Sequence, residues 1–92
     1  MEVKYRLVSP LGLNARVASL LVGVFNRFAN NETNVYYNGE VADGKSILSL
    51  ITLVVKSGEE LVIEVIGKNE ATVFEVLDKV NENSETPILE RI

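Results

Sequence analysis

Ser46-Ile47-Leu48-Ser49-Leu50-Ile51-Thr52-Leu53-Val54-Val55 is the stretch on which the fold of this chain depends. A nearly continuous apolar run of this length reads in two ways. It is either a short helix capped by Ser46 or a buried strand, and periodicity does not separate the two. The elements on either side are easier to read.

Downstream, Lys56-Ser57-Gly58-Glu59 marks a turn, and Leu61, Ile63 and Val65 then alternate with Val62, Glu64 and Ile66 as in a strand. Gly67-Lys68-Asn69 leads into a helix that Asn69 caps, with Val73, Val76, Leu77 and Val80 along one face. The remainder, from Asn81, is polar before Pro87-Ile88-Leu89 and predicts a tail that frays or docks loosely. Upstream, Asn38-Gly39 between Thr33–Tyr37 and Glu40–Ala42 predicts a hairpin, because both turn residues tolerate positive φ. Val17, Leu20, Leu21, Val24 and Phe28 recur at helical spacing, with the stop placed at Ala29-Asn30-Asn31. Val3, Tyr5 and Leu7 alternate with charged residues as in a half-buried strand, which Ser9-Pro10 ends. Two amphipathic helices with several strands call for an α+β two-layer domain, the helices covering one sheet face. Residues 1–92 read as one domain, with about 83–92 as its C-terminal tail.

Composition bounds the function. A chain of 92 residues with 47% hydrophobic and 24% charged residues is long enough for a single modest core. A formal net charge of −4 argues against direct binding to nucleic acid or to anionic membrane. No apolar run approaches the roughly 20 residues of a membrane helix, and the first ten residues lack the apolar core of a signal peptide. A cytoplasmic protein is expected. With no cysteine and no histidine, thiolate nucleophiles, imidazole bases and their metal sites are excluded. Asp43 beside Gly44 lacks further ligands and reads as a turn, and Tyr36 and Tyr37 read as ordinary strand residues. No nucleophile–base pair is visible, so a non-enzymatic binding protein without cofactor or metal is expected.

One segment carries chemistry. Gly12-Leu13-Asn14-Ala15-Arg16 has the form of an anion-handling helix start: a flexible glycine, a side chain suited to capping, then an arginine. It resembles the phospho-acceptor motif of the HPr phosphocarrier family, Gly-Ile/Leu-His-Ala/Thr-Arg-Pro-Ala. Asn14 stands at the histidine position and Val17 at the proline position. Asn38-Gly39, Lys45-Ser46-Ile47 and Leu50-Ile51-Thr52-Leu53 match further family segments in the same order. The resemblance spans about residues 1–82, with one extra residue in the loop Asn30–Thr33. It implies an open-faced sandwich, β-α-β-β-α-β-α, with a four-stranded antiparallel sheet and three helices on one face. Under it the undecided stretch becomes a short second helix.

The family's histidine takes phosphate from enzyme I and passes it to sugar-transporter subunits. A carboxamide nitrogen shares its lone pair with its carbonyl and is no nucleophile, so carrier chemistry is not expected at Asn14. The resemblance implies an anion pocket at Arg16 and the amides of Ala15 and Arg16. It also implies a regulatory phosphorylation site at Ser46, and an apolar docking patch of Ile47, Leu48 and Ile51 beside Arg16. Members that lack the histidine and keep the serine, called Crh, act as regulators. The partners so implied are an ATP-dependent HPr kinase/phosphorylase, a LacI-type catabolite-control regulator and phosphotransferase-system proteins. Two alternatives stay open: Ser46 is an ordinary helix cap, and the protein is an unphosphorylated module competing with HPr for partners. Ser49 stands where Gram-positive members commonly carry glycine.

Overall fold

A computed structural model describes residues 1–92. Eight elements follow in order: β1 (Glu2–Leu7), α1 (Ala15–Phe25), β2 (Glu32–Tyr37), β3 (Glu40–Asp43), α2 (Ile47–Ile51), β4 (Glu60–Ile66), α3 (Glu70–Glu82) and β5 (Leu89–Arg91). The strands form one antiparallel sheet in the order β3-β2-β4-β1-β5. Strand alternation sends Tyr5, Leu7, Val35, Leu61, Ile63 and Val65 into the core, where the apolar faces of the helices meet them.

Within the undecided stretch only Ile47–Ile51 is helical. Ser46 caps it, Leu50 and Leu53 bury one side three residues apart, and the Leu53 and Val54 amides close tight turns onto the Leu50 and Ile51 carbonyls. Val54 then takes φ +54°, which ends the helix. A β-branched side chain in the left-handed region is strained.

Four expectations are corrected. The sheet has five strands, not four, and the tail beyond residue 83 is neither frayed nor loose. The α3 residue Asn81 accepts from the Ile88 and Leu89 amides at 2.8 and 3.0 Å and donates to the Leu89 carbonyl at 2.6 Å. Arg91 pairs with Asp78 at 2.8 Å, Ile88 and Leu89 are buried, and the free edge of β1 accepts the strand. Helix α1 stops at Phe25, earlier than Ala29. The carbonyls of Phe28 and Asn31 go to the Lys45 ammonium (2.8 and 2.6 Å), and the Asn31 side chain is spent on the Lys68 carbonyl. Asn69 occupies the cap position of α3 with φ +59° and no side-chain bond, because side-chain capping needs extended backbone. No helix is long and apolar enough to cross a membrane.

Candidate functional site

The loop from Val8 to Asn14 is held at both ends. The Val8 amide donates to the Ile88 carbonyl (2.9 Å) and the Leu13 amide to the Val55 carbonyl (2.9 Å). Gly12 has φ +72°, and a β-carbon there would stand 2.6 Å from the Val55 oxygen. Glycine is therefore required on two counts, conformation and close approach. This contact lays the start of α1 against the exit of α2.

Asn14 is extended (φ −96°, ψ −177°), and its Oδ1 accepts from the Val17 amide at 3.0 Å. Its carbonyl takes the Ala18 amide at 2.9 Å. The Ala15 and Arg16 amides are the two of the first turn left without a partner in the chain. The free amides and the positive end of the helix dipole suit an anion. The exposed Arg16 guanidinium forms no ion pair and lines a cleft of about 240 Å³ with Ser9, Asn14, Leu11, Thr86 and Ile88. Ser9 is buried at this cleft. Thr86 and Ile88 belong to the tail, so the docked C-terminus forms one wall of the cleft. Local pattern does not mark Ser9, Thr86 and Ile88 as site residues: Ser9-Pro10 reads only as the end of a strand and Pro87-Ile88-Leu89 only as part of a tail.

Ser46 sits at the start of α2 in extended backbone, half-buried. Its Oγ accepts from the Ser49 amide at 3.1 Å. Ser49 in turn accepts from the Asp43 amide at 3.1 Å, and Asp43 accepts from the Lys45 amide at 2.9 Å. The non-glycine side chain at 49 therefore ties the end of β3 to α2. Ile47 and Leu48 project to solvent, Leu48 with 75% of its surface exposed, whereas Ile51 packs partly on the core. Two further apolar side chains stand out at 81% and 66% exposure, Leu11 and Val54. They flank the contact between Gly12 and Val55, so the exposed apolar surface runs from α2 to the loop before α1. Arg16 faces the C-terminal segment, and Ser46 lies at the opposite end of α2 from Val55.

The fold thus places an asparagine-capped helix start with an unpaired arginine near a serine-capped second helix, on an antiparallel sheet covered on one face. Comparison with known proteins makes the assignment. The family model described as the PTS HPr component phosphorylation site matches residues 1–83. The phosphocarrier protein HPr of Lysinibacillus sphaericus is 35% identical over 74 residues, covering 80% of this chain and 83% of that protein. HPr-C-His from Thermoanaerobacter tengcongensis superposes with a TM-score of 0.80 at 26% identity, over 89% of this chain and 91% of that one. The catabolite repression protein Crh of Bacillus subtilis, crystallised as a swapped dimer, has a TM-score of 0.66 at 32% identity over 78% and 82%. The chain belongs to the HPr family.

Proposed function

We propose that this protein is a regulatory member of the HPr family rather than a phosphocarrier, and that it has no enzymatic activity of its own. The observation that carries the proposal is the capping bond from the Val17 amide to Asn14 Oδ1. At the position where the family places its phospho-acceptor, the side chain is a carboxamide, and its oxygen is engaged in holding the helix start closed. Valine supplies the amide that the family's proline lacks. The two departures from the motif therefore work together.

Regulation through Ser46 is supported by its place at the N-terminus of α2 and by the adjoining exposed Ile47 and Leu48. A phosphate at a helix start meets amides and the positive dipole end, and is accommodated without unfolding. The modified serine and the apolar side chains beside it would together present a surface to a LacI-type catabolite-control regulator. The Arg16 cleft would remain as an anion site without covalent chemistry. The likeness to Crh is in keeping with this reading. Incubation with a Gram-positive HPr kinase and ATP, followed by intact-mass measurement, is expected to add one phosphate, lost in Ser46→Ala. Phosphate retained by Ser46→Ala, or no phosphate at all, rejects the role of Ser46. Phosphoenolpyruvate and enzyme I are expected to leave the mass unchanged; a phosphorylated product there overturns the reading of Asn14.

A second reading has its own observation. The Ser46 hydroxyl is half-buried and already bonded to the Ser49 amide, and the apolar surface is exposed without any modification. An unphosphorylated module that competes with HPr for partners fits both facts. It predicts partner binding that Ser46→Ala leaves intact.

A further inference from the structure

The helices cover one face of the sheet, and no element covers the other. Across the middle of the bare face the strand register aligns Val41, Tyr36 and Val62 on three adjacent strands. Val41 is 57% exposed, Tyr36 is exposed, and Val62 is half-buried. Lys4 continues the row beside Val62, and the three side chains from Tyr36 to Lys4 border a shallow cleft of about 290 Å³. A neighbouring row aligns Asp43, Asn34, Glu64 and Glu2, with Glu32 on the same face of β2.

Charge on this face is not balanced. Its cations are matched already: Lys4 lies 3.8 Å from Glu60, and Arg6 lies 3.5 Å from Glu60 and 3.7 Å from Glu90. Glu2, Glu32, Asp43 and Glu64 have no cation beside them. Glu64 is instead oriented by neutral donors, the Tyr36 hydroxyl at 2.9 Å and the Asn34 amide at 3.1 Å. The Tyr36 phenol is pushed above its ordinary range, first by its bond to Glu64, with Glu2 and Glu32 adding to the effect.

We infer that the helix-free face of the sheet is a docking surface for a basic protein segment. Apolar side chains of that segment rest on the Val41–Tyr36–Val62 row, and its lysines or arginines lie over Glu2, Glu32 and Glu64. Charge selects this occupant over a second copy of the chain. A copy would bring the same uncompensated carboxylates together, in a protein whose net charge is already −4. With strands ~4.8 Å apart and ~3.3 Å of rise per residue, the face offers on the order of 400 Å² to a partner. That is about half of the roughly 800 Å² per side of a stable complex, so the contact is weak, rapidly exchanging and salt-sensitive. The surface lies opposite the helices and is independent of the regulatory reading.

The test is an NMR titration of the full ¹⁵N-labelled protein with a capped peptide of alternating lysine and leucine. Shifts are expected at Tyr36, Val41, Val62 and Glu64. Binding is expected to weaken about tenfold in the double variant Glu2→Lys, Glu64→Lys, and as strongly at about 0.5 M salt. A lysine–serine peptide should bind more weakly than the leucine one, and Val41→Lys, at an exposed edge position, should weaken binding too. Shifts confined to α1 and α2, or affinity unchanged by the charge reversals, overturn the inference. Concentration-dependent shifts on this face without peptide also overturn it, in favour of a second copy.

Discussion

At position 14 one hydrogen bond joins two departures from the family motif into a single local structure. Asn14 needs a backbone N–H three residues on, and Val17 provides it. Replacing Asn14 with alanine is expected to lower stability by about 1 kcal/mol, read as a shift of the denaturant midpoint at unchanged slope. This cap was legible in the sequence because an N-cap depends on neighbours only. Val54 was not legible, since nothing in its identity announces φ +54°; a β-branched residue argues against it. The conformation follows from Leu53 and Val55 both being buried on either side of it. Val54→Gly is therefore expected to stabilise the fold by about 1 kcal/mol, measured by thermal or denaturant unfolding. A destabilised glycine variant would show that the exposed valine packs better than its surroundings indicate.

Among the elements, α2 and β5 show how far local pattern reaches. The stretch after Ser46 satisfies helix and strand patterns equally. It becomes a helix because Leu50 and Leu53 must face one core while Ser46 supplies a cap. β5 left almost no pattern, being three residues long. Its existence depends on partners far along the chain or on another element: the edge of β1, the Asp78 carboxylate and the Asn81 side chain. Asn81→Ala would leave the Ile88 and Leu89 amides and the Leu89 carbonyl without that partner, a loss of about 1–3 kcal/mol. Hydrogen exchange should accelerate at residues 88–92 while β2 and β4 keep their protection. Unaltered protection there would mean that pairing with β1 suffices. Because Thr86 and Ile88 line the Arg16 cleft, the same variant should open that wall.

For the whole molecule, the decisive asymmetry is a sheet covered on one side. The Tyr5 phenol, on the covered side, is 1% exposed and its pKa is raised from 10.0 to about 12, chiefly by burial; Arg91 opposes the shift and Asp78 reinforces it. The folded state thus favours the neutral phenol. That contribution is fully present below pH 10 and is lost as pH rises through about 12, worth roughly 2–3 kcal/mol at most. Unfolding monitored from pH 9 to 12 should show this loss, and Tyr5→Phe should flatten it; an unchanged slope in Tyr5→Phe would assign the loss to other groups. The alternating strands, the helix faces, the Asn38-Gly39 turn, the cap at Asn14 and the lack of any imidazole or thiol can all be read from the chain of residues alone. These rest on spacing, on backbone preference and on composition, all of which are local. The fifth strand, the stop of α1 at Phe25, the strain at Val54 and the Ser9–Thr86 walls of the Arg16 cleft arise in the folded chain. Each of these depends on a distant backbone or side-chain group that local spacing does not encode.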